Sequence, residues 1–390
     1  MSIDVWTKVP WNKEACDLPP DPGSGAAITR LSGSMVATNN NYLPGGCSAN
    51  GRRIVATRFL DPLVSPINAL MAIDLDTKWT ALLDPALADV HVLPVPFTGV
   101  CYYVNHQMEV CRVSLDTFDK EVVLNLRGMP PVDAILRGVT PDQRYLFYVT
   151  VVSIAAGQSM AIVRLDVPAK SWQMIYENPG LTGVIYLPGP NALMVGRRTM
   201  ADGSTPPLGA WKNSTGIKAD HQLFDLDGKF LRHLGPAAGY NYFDARTGRV
   251  VCNCYYDQTR WAQTPDRPRG NMVVFESLDM KMERVIDAPD HLFHHIAGSR
   301  CGRYVVSEAL RPGTGPFGPV DIVVVNWHTG KHRVLVDNCG ALGSGGGNVM
   351  RQPTPYLTSD NSHVVYNADP DGIPNVYSAK LPDGFLASLD

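Results

Sequence analysis

Three histidines lie within five residues in HLFHH, at His291, His294 and His295. Imidazole binds divalent metals and moves protons near neutral pH. On a strand, residues 291 and 295 point to one face and 294 to the other. A lone histidine in such a place is more often structural than a ligand, and His295, just ahead of an apolar run, is the better candidate. A second polar run, RQPTP at 351–355, places Arg351 and Gln352 before a turn and strand, TSDNSHVVYNAD. A third group is scattered: Arg197, Arg198, Lys212, His221, Arg260, Trp261, Arg267, Arg269 and Arg311. Guanidinium forks bind carboxylates, and aromatic faces stack on sugar rings. Together these residues suit a carboxylated sugar, while each alone also reads as a solvated loop charge. HExxH, GxSxG, P-loop and CxxC motifs are all missing.

The elements that must position these residues come from a repeat. A polar turn followed by a strand recurs as SANGRRIVATRF, VPFTGVCYYVN, VTPDQRYLFYVT, LPGPNALMVGRR, DARTGRVVCNCY, SRCGRYVVSEAL and TSDNSHVVYNAD. Their starts are 44 to 59 residues apart. Each is followed by a strand, an Asp/Gly-type turn and another strand, as in LMAIDLDTKWTALL and QLFDLDGKFLRHL. Seven copies of a four-stranded unit at this period predict an all-β fold, a seven-bladed β-propeller. The seventh copy, NVYSAKLPDGF, stops short of its last strand. AAITRLSG at 26–33 resembles that missing outer strand and is expected to close the ring, which removes two sheet edges. Residues 1–25 would be an N-terminal arm and 26–390 the propeller.

In such a ring the long inter-blade loops and the loops between second and third strands share one face. Here they are longest in copies four to seven. Long loops in a compact fold are often functional, so the site is expected there.

Net charge is −3 and charged residues make up 18% of the chain. With no basic stripe, nucleic acid is not an expected partner. No apolar h-region opens the chain and no run of 18 apolar residues follows, so the expectation is a cytoplasmic protein with no membrane span. Eight cysteines are too few for a disulfide scaffold. Cys101 and Cys111 are placed where they could face each other across a hairpin.

The repeat series resembles the oligogalacturonate lyases, seven-bladed propellers that cleave digalacturonates by β-elimination. ITRLSGSMVATNNNYLPGGCSANGRRIVATRF is similar to that family's opening strand and first blade. HHIAGSRCGRYVVSE and RQPTPYLTSDNSHVVYNADPDGIPNVY are similar to its last two blades. The resemblance runs over residues 26–385. It implies a manganese ion held by three histidines and one glutamine. The first histidine falls on His295. The second and third fall on Gln352 and Thr354, before Pro355, and the glutamine near Asn348. The implied metal positions are therefore His295, Asn348 and Gln352, with one imidazole among them. The family's arginine base falls near KADHQ, with Lys218, Asp220 and His221.

The resulting expectation is a lyase acting by β-elimination on a small acidic, uronate-containing oligosaccharide. Elimination needs a neutralised carboxylate and a base. His295, His294 or His221 would be base or acid, and Tyr242 a proton donor. Arg197, Arg198, Arg260, Trp261, Arg311, Arg351 and Gln352 would bind substrate. Two other readings stay open. A glycoside hydrolase would need two carboxylates across a cleft, from among Asp220, Asp244, Asp257, Asp266 and Asp290. A carbohydrate- or protein-binding propeller would need no chemistry.

Overall fold

The computed structural model describes residues 9–33, 37–38, 45–61, 65–88, 91–128, 135–154, 157–187, 190–199, 218–235, 241–243, 249–253, 272–275, 282–286, 288, 290–311, 319–340 and 352–390. The fold is an all-β β-propeller. Antiparallel sheets follow one another along the chain, each with its first strand at one edge and its next two or three beside it in order. The first strands of successive sheets are neighbours: Leu93–Val95, Ile135–Val139 and Leu181–Leu187 form one such series. Asn241–Phe243, Leu292–Gly298 and Tyr356–Leu357 form another. These first strands are the inner strands of the ring.

Stacking of sheets decides which strands read as continuous apolar runs. Val320–Asn326, VDIVVVN, is buried at every position because a neighbouring sheet covers each face. The outer strand Ser171–Asn178 has no fully buried residue. Interior packing is therefore between sheets. Val305, Val323 and Val325, with Phe293 of their own sheet, pack with Val251 and Val274 from the sheet before.

The recurring polar turn has a definite chemistry. Ser48, Thr140, Ser299 and Thr358 each open one. Their hydroxyl oxygens accept from the backbone N–H five residues on, at 2.9, 3.0, 3.1 and 3.1 Å. Three of these hydroxyls also donate to an Asp or Asn two residues on: Asn50 at 2.7 Å, Asp142 at 2.6 Å and Asp360 at 2.7 Å. The fourth residue of each turn has positive φ: Gly51, Gln143, Gly302 and Asn361. Short polar side chains compete with the ladder for backbone groups and so mark where a strand pair turns. At Gly51 a side chain would also collide with the Asp360 carboxylate, 2.3 Å from the Cβ position. Only glycine lets the first sheet's turn meet the last sheet's.

The N-terminal segment spans several sheets. Ala27–Arg30 pairs with Asn375–Lys380, Ile28 opposite Ala379. Cys16–Asp17 adds to Ala27–Arg30, and Trp11–Lys13 adds to Trp79–Leu87 of the first sheet. Trp11 is buried against Phe118, with ring centroids 5.4 Å apart. Glu14 pairs with Arg58, and Asp21 accepts from the Asp337 N–H at 2.8 Å.

Six cysteines among the described residues are free thiols. Cys111 stands opposite Tyr103, and Cys101 opposite Val113, so the two do not face each other across their hairpin. No helix among the described residues is long and apolar enough to cross a membrane.

Ile28 is buried in the cluster that joins the two ends of the chain. Ile28→Ala should cost about 2–5 kcal/mol. Urea denaturation checks it; an unchanged midpoint would mean that strand 27–30 is not docked in solution.

Candidate functional site

The site begins with a register fault. In the pair Leu292–Gly298 with Tyr304–Leu310, Phe293 stands opposite Ala309 and Ile296 opposite Ser307. Two residues, His294 and His295, therefore oppose one, Glu308. A β-bulge of this kind turns adjacent side chains away from strict alternation. The two-residue period, which separates 294 from 295, fails here. His294 and His295 share one partner, while His291 leaves for Asp321, with Nε2 3.4 Å from Oδ2.

His294 Nδ1 lies 2.6 Å and His295 Nδ1 2.8 Å from Glu308 Oε1, and the two ring nitrogens are 3.0 Å apart. All three side chains are buried. The second carboxylate oxygen accepts from the Thr354 N–H at 3.3 Å. The stretch RQPTP thus reaches this cluster through its backbone. Thr354 has a φ of 37°, unusual for a β-branched residue. Buried Asn367 holds the stretch: its Nδ2 donates to the Gln352 carbonyl at 3.0 Å, and its N–H to the Pro353 carbonyl at 2.9 Å.

Burial alone would push the Glu308 carboxyl up, but the His295 charge and hydrogen bonds from both imidazoles outweigh it and hold it well below the usual carboxylate range. Burial pushes His295 down, against the pull of Glu308. An ionised carboxylate beside two imidazoles is a metal-ready donor set once a cation displaces the protons on the ring nitrogens. Among the described residues, His294, His295 and Glu308 form the group that could hold a metal ion. The donor types fit a divalent cation of the manganese kind.

Sequence reasoning missed Glu308. Its signal was a lone carboxylate in YVVSEAL, since a glutamate in an apolar strand is almost never fully buried unless paired.

Other expected residues are placed differently. Arg311 is committed to Asp321 through Nε at 2.9 Å and Nη2 at 2.7 Å, and it also pairs with Asp337. These pairs fasten the ends of two strands. Arg197 lies on Ala192–Thr199, opposite Asp220. His221 and Arg198 take strand positions in the same sheet, and Tyr242 lies on the inner strand Asn241–Phe243, opposite Val251. Lys212, Asn348, Arg351, Arg260, Trp261, Arg267 and Arg269 lie outside the described residues, as do Asp244, Asp257 and Asp266. A cavity of about 270 Å³ lined by Leu93, Val95, Gly138, Val139 and Tyr186 holds none of the expected residues. It lies along the strands Leu93–Val95, Ile135–Val139 and Leu181–Leu187.

The arrangement belongs to the β-propellers. No protein-family model matches the chain. It is 30% identical over 122 residues to the oligogalacturonide lyase of Pectobacterium atrosepticum, a stretch covering 27% of this chain and 29% of that enzyme. The likeness in structure runs the whole length. An oligogalacturonate lyase in complex with manganese superposes with a TM-score of 0.66, 16% identity, and 96% and 100% of the two chains covered. The oligogalacturonate lyase of Vibrio parahaemolyticus gives 0.67, 13%, 97% and 99%. The β-propeller domain of the Pyrococcus furiosus Trilobed protease, described as having an open velcro topology, gives 0.54, 11%, 87% and 98%. At these identities the structural likeness carries the fold alone.

Asp321 is buried. Burial would raise its carboxyl, but hydrogen bonds from His291, Arg311 and the Asn338 N–H hold it well below the usual range. A depressed carboxyl contributes stability that is present above its unfolded value of about 3.9 and lost as pH falls through the native value. Thermal melts should show a declining midpoint below about pH 4. Asp321→Asn should be less stable at neutral pH and shallower over that acid interval. An identical acid limb in the variant would refute the assignment.

Proposed function

We propose that this protein is a lyase that cleaves a uronate-containing oligosaccharide by β-elimination. The observation that carries the reading is the buried His294–His295–Glu308 cluster at the end of the inner strands where the family resemblance also puts a ligand histidine. Support comes from the partial sequence match to one oligogalacturonide lyase and from the full-length likeness in fold to two others. The supporting scaffold is read as a ring of seven blades, residues 26–390, fastened by the pairing of Ala27–Arg30 with Asn375–Lys380 and preceded by an arm over 1–25.

Elimination breaks the C4–O4 bond and removes the C5 proton, leaving a C4–C5 double bond in the uronate. A divalent metal, when bound, neutralises the substrate carboxylate and so acidifies the C5 proton. In this reading Arg351, Gln352 and Asn348 clamp the carboxylate. His221, in the KADHQ strand, takes the C5 proton, and Tyr242 returns one to the leaving oxygen. Arg197, Arg198, Arg260 and Trp261 bind the neighbouring sugar. A hydrolase on this scaffold is less well supported: Glu308, the carboxylate at the cluster, is committed to two imidazoles rather than set across a cleft from a second carboxylate.

Incubation with saturated uronate oligosaccharides should yield new ultraviolet absorbance from the conjugated double bond, matched by new reducing ends. Reducing ends without absorbance would mean hydrolysis. Neither signal across the panel would mean a binding propeller. His221→Ala should lower kcat by about 10²–10⁴-fold with little change in KM; an unchanged kcat would remove it as the base.

A further inference from the structure

We infer that this chain builds a divalent-metal centre of its own composition, held by His294 Nδ1, His295 Nδ1 and Glu308 Oε1. The inference rests on the lyase reading for the kind of cation, and on the geometry of these three residues for everything else. Their donor atoms form a nearly equilateral triangle with sides of 2.6, 2.8 and 3.0 Å. A cation that keeps its donors at about 2.1 Å in an octahedron spaces adjacent donors about 3.0 Å apart. The triangle therefore has the size of one octahedral face, which leaves the opposite face for water or a substrate carboxylate.

The donors are held before any cation arrives. The bulge at His294 and His295 puts two adjacent imidazoles on one side of the strand pair, which regular pleating forbids. Glu308 Oε2 is occupied by the Thr354 N–H, so the orientation of Oε1 is set. Asn367 in turn fixes the 352–354 segment that supplies that N–H. Outer contacts of this kind orient a ligand and tune its affinity.

Charge points the same way. One carboxylate and two neutral imidazoles leave a dication partly uncompensated, which suits an anionic ligand on the open face. The histidines that the family resemblance implies at 352 and 354 are absent from this chain. His294 and Glu308, both from one strand pair, make up a three-donor set with His295. Gln352 and Thr354 then serve the centre through their backbone rather than as the lost imidazoles.

The test is titration of the full-length, chelator-stripped protein with manganese(II) alone, followed by the electron paramagnetic resonance signal of the free ion and by thermal melting. Wild type should bind one ion per chain and melt higher with it. Glu308→Gln and His294→Gln should each lose affinity by on the order of tenfold or more, while melting cooperatively without metal. Manganese binding that is absent from wild type, or as tight in both variants as in wild type, would overturn the inference. Elimination that persists after chelation, with no ion bound, would sink the metal centre and spare the lyase reading. An ion bound as described with no elimination on any uronate substrate would do the reverse.

Discussion

Glu308 is a carboxylate taken almost wholly out of water, and such a group persists only where its surroundings replace the lost hydration. Two imidazoles meet one of its oxygens and a backbone N–H meets the other. Those partners come from two places, the inner strand Leu292–Gly298 and the segment leading into the next sheet, and Glu308 itself stands on the strand between Leu292–Gly298 and Val320–Asn326. The carboxylate therefore ties the sheet of Leu292–Gly298 to the last one. The bulge at His294 and His295, the positive φ of Thr354 and the bracing by Asn367 are the local distortions that make this convergence possible.

The ring beneath is built by repetition of one cheap device. A hydroxyl, an Asp or Asn two residues on, and a residue in the left-handed region turn the inner strand into the second strand in sheet after sheet. Apolar strands such as VDIVVVN then need cover on both faces, and only a neighbouring sheet on each side supplies it. The N-terminal segment adds strands to the first and last sheets and a hydrogen bond to the sixth. A single stretch of chain thus contacts several separate sheets.

The arginines show how far composition carries a functional reading. A run of loop guanidiniums suggests an anionic sugar, but Arg311 is held by Asp321, which lies ten residues on in sequence and directly beside it across two strands. Nothing in RPGTGPFGPVD distinguishes that fastening from a ligand contact, because the pairing depends on strand register. His291 is claimed by the same aspartate. Two of the chemically inviting residues thus meet on one buried aspartate, and Glu308 sits where an apolar strand would be expected.

By itself the sequence determined the all-β class, the repeat, the turn positions and the strand that pairs with the chain's last, because those depend on local turn chemistry and on two-residue periodicity. The family resemblance, not spacing, put His295 beside positions 352 and 354. What the sequence could not determine was which of these residues meet. A bulge changes the face of a side chain without changing any local propensity, since the extra residue is specified by the partner strand. Only the tertiary structure decided that His294 joins His295 on Glu308, that His291 and Arg311 go to Asp321, and that RQPTP contributes a backbone N–H.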